Sequence, residues 1–214
     1  MTRRSLLPKF PDSYIGKKAK EYNDQKWMER NQKRTTQLCI QYLYDEKLGG
    51  EIRKDTPNLI LDLGCGTGFS SEILIEYGFK VIGIDVLSDM LFKACEKKKK
   101  KGYDKNLELL LADINYLPLK NNSIDHIISI SSYNFITYNK YGREKRNVLN
   151  NTAKYLNKIL KKNGRIIIEF YPEDDTELNF FVSSFIENGF KGFKIKNKPN
   201  QKAGQTYLLL KKKR

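Results

Sequence analysis

The chain has 214 residues, of which 39% are hydrophobic and 30% charged, and 40 basic against 25 acidic residues leave a formal net charge of +15. That size and apolar content suit one folded domain, and no apolar run approaches the roughly 20 residues that a membrane helix needs. The cation excess favours a polyanionic partner, nucleic acid or ribosome, over a mere compositional bias towards lysine.

Residues 1–16 are predicted to be irregular, with Pro8 and Pro11 breaking any early helix. Met1 to Phe10 lacks the apolar core of a signal peptide, so a cytoplasmic location is expected, or a nuclear one in a eukaryote. From Lys17 to Tyr44 the pattern is helical, with Tyr22, Trp27, Leu38, Ile40 and Leu43 placed to line a lid or to pack on a sheet. Residues 26–34 set Lys, Arg, Asn and Gln around Trp27. An aromatic among cations can stack a base while its neighbours meet phosphates; the plainer reading, that Trp27 anchors the helix to the core, is the one we favour here. Cys39, Cys65 and Cys95 are isolated and form no CxxC pair, which argues against a disulfide framework or zinc ribbon, so they read as small buried or half-buried residues.

Gly49-Gly50 and Pro57 mark a loop. The apolar run Asn58 to Leu63 then reads as a buried parallel strand, Gly64, Gly66 and Gly68 as the tight turn after it, and Phe69 to Tyr77 as a helix stopped by Gly78. Lys80 to Ile84 is a second strand closed by Asp85. Ser88 to Lys101 is a helix with Ser88 as its expected cap. Leu107 to Leu111 is a third strand, ending in Ala112-Asp113, and Ile124 to Ser131 a fourth, with His126 as a core or strand-end residue. Asn147 to Leu160 is an amphipathic helix ended by Lys161 to Gly164; Arg165 to Phe170 is a fifth strand. Thr176 to Asn188 is a helix stopped by Gly189. Phe190 to Ile195 and Thr206 to Leu210 flank a loop with Pro199 and Gly204 and read as an antiparallel pair. Strands alternating with helices predict a doubly wound α/β fold: a seven-stranded, mostly parallel sheet with an antiparallel C-terminal strand and helices on both faces. One domain is expected over 1–214, with a helical lid at 1–50, a catalytic core at 51–210 and a basic tail at 211–214.

The glycine turn is not a P-loop, because no Gly-Lys-Ser/Thr follows, and its alternate glycines do not match the dinucleotide pattern. Acid-x-Gly-x-Gly-x-Gly, here Asp62 to Gly68, resembles motif I of the class I S-adenosylmethionine-dependent methyltransferases. Two more acids stand where that resemblance requires them. Asp85 can accept from both ribose hydroxyls. Asp113 can accept from the adenine amino group, with Ile114 as an apolar wall and Val86 and Met90 as adenine cover. Asp62 and the backbone of Leu63 to Gly66, Cys65 included, approach the methionine end. Transfer is a displacement at a sulfonium methyl, which needs alignment and water exclusion. Enzymes that methylate exocyclic amines commonly carry an (Asp/Asn/Ser)-Pro-Pro-(Tyr/Phe) tetrad after the fourth strand. This chain has Ser131-Ser132-Tyr133-Asn134 instead, which favours an acceptor such as guanine N7, whose lone pair is free.

Ile60 to Gly68 followed by Ser70 to Leu74, Ile82 to Asp85 followed by Ser88 to Leu91, Ser123 to Asp125 leading into Ile128 to Ser131, and above all Phe170-Tyr171-Pro172-Glu173-Asp174-Asp175 together resemble the small-subunit rRNA guanine-N7 methyltransferases of the Williams–Beuren syndrome type. Glu21-Tyr22 and Asn31-Gln32 fit that family's leading helix. The resemblance implies N7 methylation of one guanine during ribosome maturation. It implies Tyr133, Asn134, Tyr171 and Pro172 around the base, Ser131 beside the cofactor, and Tyr22 and Gln32 closing the lid. It also implies a partner, the small zinc-binding multifunctional methyltransferase subunit, adding a strand beside Leu107–Leu111 to form a heterodimer. The greasy third strand, an edge in this fold, gives such a partner something to cover. The family's eukaryotic members carry a long basic extension after the last strand; here Lys211 to Arg214 stands in its place, which implies an archaeal or reduced member. The alternatives from the residues alone are a small-molecule methyltransferase, or a ribosome-assembly factor whose binding matters more than its catalysis.

Overall fold

A computed structural model describes residues 9–49, 57–172, 174–196 and 205–213. The expected loop glycines Gly50 and Gly204, Pro8, Pro199, Glu173 and the terminal Arg214 lie outside the described residues.

The apolar run Leu59–Leu63 forms β1, the middle of a seven-stranded sheet. The other strands are β2 (Lys80–Asp85), β3 (Leu107–Leu111), β4 (Ile124–Ile130), β5 (Leu160–Phe170), β6 (Phe190–Lys196) and β7 (Thr206–Lys212). Their order is β3-β2-β1-β4-β5-β7-β6. Neighbours from β3 to β5 pair in parallel, and β7 runs antiparallel to both β5 and β6. This is the mostly parallel sheet with an antiparallel C-terminal strand that the sequence predicts. Strand order reverses between β1 and β4, and in such sheets ligands sit in the crevice beyond the carboxyl ends at that point.

Strand side chains alternate faces, so the sheet divides the core in two. Leu61, Leu63, Ile127, Ile166 and Ile168 face Leu149 and Leu156 of α5 (Gly142–Ile159) and Phe181 and Phe185 of α6 (Asp175–Glu187). Ile60, Ile128, Ile167 and Leu209 face Cys39 and Leu43 of α2 (Lys26–Leu43) and Leu74 of α3 (Phe69–Glu76). Each such aliphatic side chain contributes about 1.5–3 kcal/mol by leaving water. α3 ends where Gly78 takes a left-handed φ of 87° and its N–H reaches the Ile75 carbonyl at 2.9 Å, the stop expected of that glycine.

Several expectations are corrected. The long N-terminal helix is two, α1 (Lys17–Asp24) and α2, broken at Gln25, whose ψ of 102° is extended. Ser88 opens α4 (Ser88–Lys101) as its first helical residue rather than its cap; Leu87 takes the cap position and no side chain bonds there. α5 starts a turn early, at Gly142. Lys161 to Gly164 does not end the preceding helix as a loop but belongs to β5, whose Leu160 pairs with Ile124 before the register shifts at His126.

His126 is a core residue: it is buried, its Nδ1 accepts from the Arg165 N–H at 3.2 Å, and burial pushes its pKa down to about 4. Cys39 and Cys65 are buried and Cys95 half-buried, all as free thiols. The buried Arg165 guanidinium donates to the carbonyls of Leu43 at 2.6 Å, Asp45 at 3.2 Å and Gly49 at 3.1 Å, tying β5 to the segment after α2. Among the described residues no helix is long and apolar enough to cross a membrane.

Candidate functional site

The turn after β1 is locked to the end of β2. The Cys65 N–H donates to the Ile84 carbonyl, and the Gly66 N–H donates to Asp85 Oδ2, both at 2.9 Å. Asp85 Oδ1 accepts from the Leu87 N–H, also at 2.9 Å. Each carboxylate oxygen can accept twice, so Asp85 keeps capacity on both after fixing the loop. Burial raises its pKa, and the backbone N–H groups oppose that rise.

The three glycines are needed for the turn itself. Gly64, Gly66 and Gly68 all have positive φ, at 68°, 54° and 82°. A Cβ on Gly64 would lie 2.4 Å from both Cβ and Oγ of Ser132, and one on Gly68 would press on Ala94 of α4 at 3.3 Å. Instead of simply leaving room for a ligand, these positions let the turn touch the loop after β4 and the helix after β2. Met90 lies against the same turn. It is buried, with its Cε 3.2 Å from where a Cβ on Gly66 would stand, so it also supports the turn from beneath. Val86, 52% exposed, stays free to cover an adenine. Cys65 packs its Sγ towards Gly83, and burial drives its thiol pKa far up, which leaves it no nucleophile.

Asp62 is fully buried at the floor of the turn. Its Oδ2 accepts from the hydroxyls of Ser70 and Ser71 on α3, each at 2.6 Å, while Oδ1 has no partner. Burial raises its pKa to about 6, against the pull of the two serines. An unpartnered carboxylate oxygen in the interior is expensive and calls for a donor or a cation. Asp113 caps the short 3-10 turn Ile114–Tyr116, its Oδ1 accepting from the backbone N–H and side-chain amide of Asn115 at 2.8 and 2.9 Å. Its Oδ2 is left without a protein partner among the described residues, and Ile114 packs half-buried on the core.

The opposite wall is built by the ends of β4 and β5. Ser131 holds a left-handed φ of 53°, rare for a residue with a Cβ, and donates through Oγ to Glu169 Oε2 at 2.7 Å. Gln205 donates to Glu169 Oε1 at 3.0 Å and to Thr35 Oγ1 of α2 at 3.2 Å. Asn134 and Tyr171 bond reciprocally, side chain to backbone, at 3.1 and 3.3 Å, joining the two loops, with Pro172 half-buried beside them. Tyr171 is 47% exposed and hydrogen bonds to Glu169, while burial raises its pKa. Tyr133 is the clear correction here. Its ring is 1% exposed and packs against Phe181 and Phe185 at 5.5 and 5.6 Å, so it belongs to the core and faces no acceptor.

Over these walls lies an aromatic roof. Phe10 stacks on Phe135 at 4.8 Å, Tyr14 meets Phe135 and Tyr22 edge-on, and Tyr22 lies over Phe69. Burial raises the Tyr22 pKa, and the charges of Tyr14, Asp85 and Glu169 add to that rise. The start of α1 is pinned by the Gly16 N–H donating to Asp89 of α4 at 2.7 Å. Gln32 is half-buried on α2 and makes no side-chain hydrogen bond among the described residues, so it does not join Tyr22 in this roof by any such bond. Trp27 does not anchor the core either: it is 57% exposed. Sequence reasoning missed Glu169, Ser132 and Gln205. The signal for Glu169 was one acid inside Ile166 to Phe170, a run otherwise fit for full burial; Gln205 offered none.

A methyltransferase domain family matches residues 54–205. The 18S rRNA (guanine-N(7))-methyltransferase bud23 of Schizosaccharomyces pombe is 30% identical over 156 residues, covering 72% of this chain and 56% of that protein. The 18S rRNA (guanine(1575)-N(7))-methyltransferase of Saccharomyces cerevisiae is 32% identical over 154 residues, covering 68% and 52%. The chain thus spans about half the length of these curated relatives. Among solved structures, a protein from Pyrococcus horikoshii OT3 has a TM-score of 0.66 at 21% identity, covering 96% of this chain and 100% of that one. A SAM dependent methyltransferase from Aquifex aeolicus has a TM-score of 0.57 at 20% identity, covering 85% and 97%. At these identities the structures speak for the fold.

Proposed function

Since the chain belongs to this methyltransferase domain family, we propose that it moves a methyl group from S-adenosylmethionine to N7 of a guanine in small-subunit rRNA. The observation that carries the proposal is the pair of carboxylates that the turn brings together. Asp85 is locked to the turn with acceptor capacity left for two ribose hydroxyls, and Asp62 is buried with an oxygen that lacks a donor. The cofactor's ammonium group would supply that donor, so the residues fit it. Asp113, through Oδ2, would take the adenine amino group, and Val86 would cover the ring.

When bound, the cofactor supplies an electrophilic sulfonium methyl. The protein's part is alignment and exclusion of water. Tyr22 and the aromatic roof close the crevice, while Asn134 and Tyr171 fix the loops that receive the base. Guanine N7 attacks with a free lone pair, so no base is required. Methylation leaves the positive charge on the purine, and the carboxylate of Glu169, held by Ser131 and Gln205, would oppose it. The guanine acceptor and its place in rRNA rest on the two curated relatives, whose names carry that activity.

The partner reading is likewise ours. Among the described residues β3 pairs with β2 alone and lies at the sheet edge, with Leu111 59% exposed and Leu109 and Leu110 half-buried. A small zinc-binding subunit that adds a strand there would cover the edge and form a heterodimer. The direct test is to map N7-methylguanine on small-subunit rRNA from cells with and without the protein. We expect one guanine to lose its methyl group, and to stay unmethylated when Asp85→Ala replaces the wild type. An unchanged map would sink the rRNA assignment.

A further inference from the structure

The roof and turn account for the crevice but leave one face of α2 unused. Lys26, Trp27, Arg30 and Arg34 are all exposed, and Lys26, Arg30 and Arg34 recur every fourth residue, so they form one stripe. Glu29, the acid of this stretch, is already held by Lys33 at 2.9 Å and Lys26 at 3.5 Å. Arg30 and Arg34 have no acidic partner among the described residues, and both line a shallow groove with Lys26, Glu29, Lys33 and Gln37. Trp27 is the chain's single tryptophan and is 57% exposed beside them. The exposed part of this ring, beside cations that lack acidic partners, is the combination that stacks a base while neighbouring phosphates are met.

The face is also close to the chemistry. One residue, Gln25, separates α2 from α1, whose Tyr22 ring packs against Phe69, the residue right after the glycine turn. Further along, Thr35, next to Arg34, is linked through Gln205 to Glu169. A base drawn out of its strand into the crevice would leave its neighbours within reach of this helix.

We propose that this face of α2 is where single-stranded RNA flanking the target base docks, with a neighbouring base stacked on Trp27 and phosphates on Lys26, Arg30 and Arg34. The inference rests on the RNA-methyltransferase reading. Its test uses the full chain with cofactor and a short, guanine-containing, single-stranded oligoribonucleotide, followed by the intrinsic fluorescence of Trp27. RNA is expected to quench that fluorescence. Trp27→Ala should weaken RNA binding about tenfold. The double variant Arg30→Gln/Arg34→Gln should flatten the slope of log affinity against log salt by about 1.4, at roughly 0.7 per phosphate contact on a single strand. Cofactor affinity and thermal midpoint should stay at wild-type values, because these side chains are exposed. Wild-type RNA affinity in the combined variant Trp27→Ala/Arg30→Gln/Arg34→Gln, with no quenching in the parent, would place the RNA on another face and overturn the docking surface alone. Retained cofactor binding with no RNA binding at all would overturn the RNA reading with it. Equal quenching and affinity with polyglutamate, which has charge but no bases, would assign the face to an acidic protein and overturn the proposal.

Discussion

At the scale of single residues, the turn after β1 is the most constrained part of the molecule. Gly64→Ala would set a Cβ 2.4 Å from Ser132 while holding a φ of 68°, so overpacking and backbone strain act together. We expect a loss of about 1–3 kcal/mol of stability, read from denaturant melts, and a weaker cofactor site. Asp85→Ala should abolish cofactor binding in calorimetry while circular dichroism keeps its helical signal; undiminished affinity would remove Asp85 from the site. Asp62 gives a pH dependence. Its folded pKa is raised from 3.8 to about 6, so the native protein holds a proton there that the unfolded chain has lost. Stability without ligand therefore falls as pH rises from about 4 to 6 on this account. Cofactor binding should favour the carboxylate, so affinity should drop below pH 6 by up to about tenfold per pH unit. Asp62→Asn should flatten that profile. His126 acts in the opposite sense. Its folded pKa lies at about 4, so its contribution is intact above pH 6.5 and is lost as pH falls towards 4.

At the scale of elements, α1 is the piece whose position is least supported by the sheet. It rests on α4 through Gly16 and Asp89, and on the crevice through Tyr22. Tyr22→Ala should speed cofactor release in stopped-flow measurements and leave the melting midpoint little changed, since the sheet and its two core layers do not depend on it. The elements themselves were largely legible. Strands such as Ile60 to Leu63 and Ile166 to Ile168 are runs of buried branched residues, and glycines stop α3 and α6 where they should. What escaped had no local mark. Gln25 breaks the N-terminal helix without Pro or Gly. Lys161 to Gly164 has turn composition yet is carried into β5 by the pairing of Leu160 with Ile124. The site divides the same way. Asp62, Asp85 and Asp113 stand at strand ends and could be found by position, whereas the inward turn of Tyr133 and the outward turn of Trp27 depend on packing between distant segments. Glu169 needed Ser131, Tyr171 and Gln205 to be brought around it before its role could be seen.

For the whole molecule, charge and edge matter most. With a net charge of +15, RNA binding should weaken by about tenfold or more between 50 and 200 mM salt if three or more phosphates are met. Insensitivity to salt would speak for an uncharged small acceptor. Leu111→Lys on β3 should raise the yield of monodisperse protein expressed alone and weaken pull-down of the zinc-binding subunit. Equal yield and equal capture would leave strand addition without support. The place of β7 bears on the order of events in the cell. It follows β6 in the chain, yet it lies inside the sheet, between β5 and β6, with Tyr207 to Leu210 buried. Gln205, which holds Glu169, stands at its threshold. A ribosome delivers the chain from its N-terminus, so β6 leaves the exit tunnel with no strand to pair with and must wait. The sheet therefore closes in one late step, when residues 205–212 have emerged and insert between β5 and β6. Nascent chains stalled before that point should resist protease through β5 and remain cleavable at β6.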